Sequence, residues 1–201
     1  MNILLTDYNN LYTRDILLPA GDLRDLKGSS KRAGIIMVTK CKANLGEEER
    51  DKIVRELKPL PYQKIYFTRI QYGSLYHLFT REPYFLEPDC EVLLICGIAN
   101  PAPLKEALTS YVSTYELLTY RDHHIFNLDD LKEIKKSFSK IKGKKKIIVT
   151  TEKDGVRLAK YEKELREMPV YVFPIAHEFL FGQERDFEKE VLQYIESFKR
   201  M

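Results

Sequence analysis

Glu91-Val92-Leu93-Leu94-Ile95-Cys96-Gly97-Ile98-Ala99-Asn100-Pro101 is the stretch on which the fold turns. Glu91 to Cys96, apolar without a break from Val92, reads as a strand covered on both faces, because a strand with one wet face alternates apolar and polar residues. Gly97 ends it, and Asn100-Pro101 reads as a helix N-cap followed by a first helical residue. The same pattern recurs upstream at Gly34 to Thr39 (GIIMVT) and downstream at Lys145 to Val149. Further strands are expected over Asn2 to Thr6, Tyr115 to Tyr120 and Val170 to Phe173. Helix-period segments lie between them at Glu47 to Leu57, at Pro101 to Val112, and at Asp186 to Lys199. This alternation predicts an α/β fold, an open, mostly parallel, doubly wound sheet.

One segment departs from the alternation. Gln63 to Phe85 is rich in aromatic and β-branched residues around Gly73-Ser74, and reads as an antiparallel β-ribbon inserted in the fold. The expected division is therefore 1–62 for the first strands and a Pro-Ala-Gly loop, 63–86 for the ribbon, and 87–201 for a C-terminal α/β domain.

Composition narrows the class. At 201 residues and 44% hydrophobic, the chain can bury a core without metal or disulfide, and disordered or low-complexity classes are excluded. Its cysteines, Cys41, Cys90 and Cys96, are odd in number and lack metal-ligand spacing, which suits a reducing cytoplasm. No apolar run reaches the roughly 18 residues a spanning helix needs. The start, MNILLTDYNN, has no basic leader, so no secretory signal is expected. The net charge of +3 is too small to point to nucleic acid. It is uneven, however: Asp130 to Lys146 holds eight lysines against Asp130 and Glu133. Leu131, Ile134, Phe138 and Ile141 recur there at helical spacing, which places the lysines on the outer face of an amphipathic helix. Such a face is either simply solvated or attracts anionic lipid or phosphate.

In open parallel sheets, ligands gather at the carboxyl ends of strands. Four such ends are expected to share one edge: Thr39-Lys40, Gly97 to Pro101, Arg121-Asp122-His123-His124, and Thr150 to Asp154. A carboxylate beside an imidazole can orient it for proton transfer, which singles out Asp122 with one histidine. Adjacent histidines in an extended segment face opposite ways, so a two-histidine metal site is not expected. Asn100-Pro101 and the Thr151/Asp154 pair also have a purely structural reading as helix caps. Near the start, Arg14 to Asp25 brackets a Pro19-Ala20-Gly21 core with two arginines, whose forked donors suit phosphate.

LLPAGDLR (17–24), a strand ending in VTK, CGIANP (96–101), RDHHIF (121–126) and VTTEKDGVRL (149–158), in this order, resemble the tetraacyldisaccharide 4'-kinase family of lipid A biosynthesis. The closing VYVFPIAHEFLFGQERDFEKEVLQYI is similar to that family's last strand and helix. The resemblance implies ATP and Mg²⁺ as the partners of catalysis and a lipid A disaccharide precursor as substrate, phosphorylated on its 4'-hydroxyl. It also implies a cytoplasmic protein peripheral to the inner membrane. It places Asp122 and His123 as the catalytic pair, His124 as a neighbour only, Gly21, Arg24 and Asn100 on the substrate side, and Glu152 and Lys153 on the nucleotide side.

The 201 residues hold no G-x-x-x-x-G-K-[ST] loop. The chain therefore reads as a C-terminal portion of such a kinase, inactive alone and holding no cofactor tightly. A non-catalytic α/β module binding a phosphosugar or nucleotide is the alternative. Self-association through an exposed sheet edge is a further expectation.

Overall fold

A computed structural model describes residues 1–199. Its strands and helices run β1 (Ile3–Asp7), β2 (Ile35–Thr39), α1 (Glu47–Leu57), β3 (Lys64–Tyr72), β4 (Leu75–His77), β5 (Pro83–Tyr84) and β6 (Glu91–Cys96). There follow α2 (Ala102–Thr109), β7 (Tyr115–Thr119), α3 (Leu128–Lys140), β8 (Lys146–Thr151), α4 (Glu152–Leu158), α5 (Glu162–Leu165), β9 (Val170–Phe173), β10 (Ile175–Phe179) and α6 (Glu184–Lys199). The chain forms two compact units, one of Met1–Gln71 together with the segment from Ala176, the other of Tyr72–Ile175.

The first unit carries a four-stranded sheet in the order β1-β2-β3-β10. β1, β2 and β3 are parallel, with Ile3 opposite Ile35 and Ile35 opposite Lys64. Helix α1 links β2 to β3, the kind of crossover connection that parallel neighbours need. Glu47, Glu48 and Glu49 crowd its first turn, where the helix dipole favours anions, and Lys58 ends it in the left-handed conformation (φ 46°). Ile53 and Leu57 pack with Ile36, Val38, Phe67 and Leu11 into this unit's core.

The second unit carries a six-stranded sheet in the order β5-β4-β9-β8-β6-β7. β9, β8, β6 and β7 are parallel, and β4 and β5 complete one side antiparallel. The run at 92–96 is apolar throughout because helices cover both faces. Leu93 and Ile95 face a core with Leu131, Ile134 and Ile148, while Val92, Leu94 and Cys96 face another with Leu104, Leu108 and Val149. Burying each such leucine or isoleucine is worth roughly 1.5–3 kcal/mol relative to exposure.

The mostly parallel α/β class is as expected, but the strands are divided between two sheets rather than joined in one. The expected boundaries also differ. Residues 63–86 do not form one ribbon: β3 is a parallel member of the first sheet, and only β4 with β5 is antiparallel. The segment from Ala176 leaves the expected 87–201 domain and returns to the first unit, because Tyr66 meets Phe187 edge-on (centroids 5.3 Å) and bonds Asp186 (2.9 Å).

Candidate functional site

Three of the four expected strand ends meet on one edge of the six-stranded sheet, since β8, β6 and β7 are parallel neighbours. The fourth does not join them: Thr39-Lys40 ends β2 in the first unit, where Lys40 pairs with Asp7 at 2.8 Å.

Two of the three loops, those after β6 and β8, are tied by Asp154, whose residue is wholly buried. Its Oδ2 accepts from the Gly97 backbone N–H and from the Thr151 hydroxyl, each at 2.8 Å. Its own N–H donates to Thr151 Oγ1 at 3.1 Å, so Thr151 caps α4. Arg157, one turn on, approaches Oδ1 at 3.4 Å. A buried carboxylate is tolerated only when its lone pairs are satisfied and an opposite charge is near, and Asp154 has both. Gly97 leaves little room for a side chain: a Cβ would lie 3.2 Å from the Arg121 carbonyl oxygen and 3.2 Å from Asp154 Oδ1.

Asp122 and His123 sit outside this anchor. Lys153 donates to Asp122 Oδ1, which also accepts from the His123 N–H at 2.9 Å. The Lys153 ammonium, by this bond, holds the Asp122 carboxyl below its usual range. His123 adopts φ 62°, a left-handed conformation uncommon for a non-glycine residue. Its side chain is 75% exposed, with Nε2 3.6 Å from Asp122 Oδ2 and Nδ1 3.4 Å from an Arg157 guanidinium nitrogen. A guanidinium only donates, so in the neutral ring Nδ1 accepts and the proton stands on Nε2, toward Asp122.

His124 has a different setting. Its Nε2 lies 2.8 Å from Asp130 Oδ2, and its ring stacks on Tyr120 (4.6 Å, 20°) and meets Phe126 edge-on (5.1 Å). Asp130 and Asn127 form the reciprocal capping box that starts α3, so His124 is built into a helix start.

The other expected residues divide. Lys153 joins Asp122 and His123, whereas the Glu152 carboxylate turns to accept from the Ile175 N–H at 3.2 Å. Asn100 accepts from the Ala102 N–H at 3.0 Å, opening α2. Gly21 and Arg24 lie in the first unit. The loop there is held by Leu18 N–H to the Leu23 carbonyl (3.0 Å), and a Cβ on Gly21 would fall 2.4 Å from both Asp15 Oδ1 and the Ile16 carbonyl oxygen. Arg24 lines a cleft of about 450 Å³ with Asn2, Lys27, Ser29 and Arg32. Asp154 as an anchor and Arg157 as a neighbour of His123 were not singled out as site residues by the sequence reading. The signal available was the Lys153/Arg157 spacing of four, which places two cations on one helix face. Among the described residues, no three His, Cys, Asp or Glu side chains converge as a metal site.

The family model for tetraacyldisaccharide-1-P 4'-kinase matches residues 1–196. The chain belongs to the tetraacyldisaccharide 4'-kinase family. A tetraacyldisaccharide 4'-kinase of Phocaeicola vulgatus is 38% identical over 206 residues, covering 100% of this chain and 56% of that protein. One of Flavobacterium johnsoniae is 40% identical over 194 residues, covering 96% and 54%. The chain thus spans about half the length of these 4'-kinases. A crystal structure described as the apo form of LpxK from Aquifex aeolicus in complex with ATP superposes with a TM-score of 0.61 at 19% identity, over 96% of this chain and 52% of that one. That likeness is one of fold.

Proposed function

We propose that this chain forms the C-terminal portion of a tetraacyldisaccharide 4'-kinase, moving the terminal phosphoryl of ATP to the 4'-hydroxyl of a lipid A disaccharide precursor. On this reading it works only with a phosphate loop supplied from outside these 201 residues, at the cytoplasmic face of the membrane. Phosphoryl transfer demands that phosphates be positioned and that the attacking hydroxyl lose its proton. Lys153 and Arg157 bring positive charge beside Asp122 and His123, and His123 assists the proton transfer. Arg24 holds a phosphate of the lipid substrate. The observation that carries the reading is the contrast between the two histidines: His123 is held out at the strand edge in a left-handed turn, while His124 is consumed by the start of α3.

The test joins this chain to the phosphate-loop portion of the Phocaeicola vulgatus relative and follows labelled phosphate from ATP to a tetraacyldisaccharide 1-phosphate. His123→Ala should lower kcat by roughly 100-fold with little change in KM, as expected for a group acting in the transition state. His124→Ala should lower the melting temperature and leave kcat of the folded fraction within about threefold. Equal losses of kcat for both, or a His123 effect on KM alone, would reject the assignment. The 201 residues alone should show no turnover above a protein-free control.

A further inference from the structure

We propose that the lysine-bearing flank of α3, with Ile125 and Leu128 at its N-terminal end, is a docking surface for an anionic lipid bilayer. The fold accounts for three of the eight lysines between Lys132 and Lys146. Lys132 pairs with Asp129, and Lys145 pairs with Glu87 and Asp89. Lys146 donates to the Phe138 and Ile141 carbonyls at the end of α3 and lies over the Phe138 ring. The other five, Lys135, Lys136, Lys140, Lys142 and Lys144, are exposed and, among the described residues, have no acidic partner.

They are also segregated. Lys132, Lys136 and Lys140 stand four residues apart on one stripe with Lys135 beside it, and Lys142 and Lys144 continue past the helix end. Of the acids of α3, Asp129 is taken by Lys132, Asp130 bonds His124 and Glu133 bonds the Tyr120 hydroxyl (3.2 Å), so none faces the other five lysines. Like charges so placed repel one another, and a fixed anionic surface relieves that repulsion.

The end of this flank distinguishes a bilayer from other polyanions. Ile125 is 81% exposed and Leu128 56% exposed, two large apolar side chains left open to solvent by the described residues. Such groups gain nothing on a phosphate backbone in water, but they bury below lipid headgroups when lysines hold the helix to the surface. A 13-residue helix lying flat spans about 20 Å, enough to cover several headgroups. Ile125 and Leu128 also follow the Asp122-His123 turn, so docking here brings that turn to the surface in which a lipid substrate resides. The inference rests on the proposed lipid substrate for its purpose, but its test needs no turnover.

The 201-residue chain is sedimented with vesicles of phosphatidylglycerol and phosphatidylcholine in equal parts, and with vesicles of phosphatidylcholine alone. The parent should bind the anionic vesicles, release them as salt rises, and ignore the neutral ones. Lys135→Gln, Lys136→Gln and Lys140→Gln together should weaken binding at least tenfold, since each basic side chain near an anionic surface contributes appreciably. Lys142→Gln with Lys144→Gln, outside the helix, should weaken it several-fold, so a folding defect in the triple variant does not decide the matter. Ile125→Ser with Leu128→Ser should weaken binding to the anionic vesicles at low salt several-fold while leaving its salt dependence unchanged. Unchanged binding by both lysine variants, equal binding to neutral vesicles, or tighter binding to a short DNA duplex would overturn the proposal. Loss of kinase activity in the joined protein with vesicle binding intact would count against the kinase reading and leave this one standing.

Discussion

The carboxyl edges of the two sheets share a topology and differ in how they are fastened. In the first unit, β1 and β2 end in Asp7 and Lys40, a pair 2.8 Å apart with side chains 29% and 58% exposed. In the second, β6 and β8 end in Gly97 and Thr151, both bound by a carboxylate with no exposed surface. An exposed pair is screened and free to rearrange, so it fixes little. A buried carboxylate must keep every partner, so the loops that supply those partners are held in one geometry. Strand-end position alone marks both edges as sites; burial separates the one that presents side chains at defined distances.

The largest effect expected from this contrast is that of Asp154→Ala. It strands the Gly97 N–H and leaves Arg157 without its carboxylate, a cost of about 2–4 kcal/mol. Asp7→Ala at the other edge should cost less than about 1 kcal/mol. Urea unfolding followed by far-ultraviolet circular dichroism measures both, and equal costs would dissolve the distinction. Next comes Gly97→Ala, whose methyl meets a backbone carbonyl and the anchor itself at 3.2 Å. Neither neighbour is the free end of a flexible chain, so a loss of about 1–3 kcal/mol is expected in the same assay.

The smallest effect concerns Asp122. Its carboxyl should titrate below the usual carboxylate range, chiefly because Lys153 donates to it, and Lys153→Ala should move the midpoint up. The sign follows: the stabilisation from this bond is complete above the ordinary carboxyl range and is lost as pH falls through the depressed value. Carbon-detected NMR of the side-chain carboxyl reads the midpoint directly, and an unmoved value in Lys153→Ala would remove Lys153 from the site.

Much of this was legible in the sequence because the interior repeats simple patterns. The runs at 91–96 and 170–173 and the helix at 47–57 have the expected bounds, since unbroken apolar runs and acid-rich helix starts are local signals. The pairing of Asp122 with His123 is also local. What was hidden depends on partners remote in sequence. Thr151 and Asp154 read as a helix cap, and they are one, yet the bond that makes Asp154 an anchor reaches Gly97, 57 residues away. β10 escaped notice because Ile175, Ala176 and His177 are exposed and follow Pro174, so no apolar run announces a strand. The split into two sheets is likewise invisible to periodicity, which reports the covering of a strand's faces but not the identity of its neighbours.

The chain leaves the first unit after β3 and comes back only with β10. Tyr66 must wait for Asp186, 120 residues later, before its hydroxyl has a partner. In a polypeptide emerging from the ribosome, the whole of Tyr72–Ile175 is available to fold while the first unit still lacks one strand and the helix that seals it. Until Tyr72–Ile175 has been made, the sheet built from β1, β2 and β3 therefore lacks β10 beside β3, and the edge of β3 stays unpaired in the meantime.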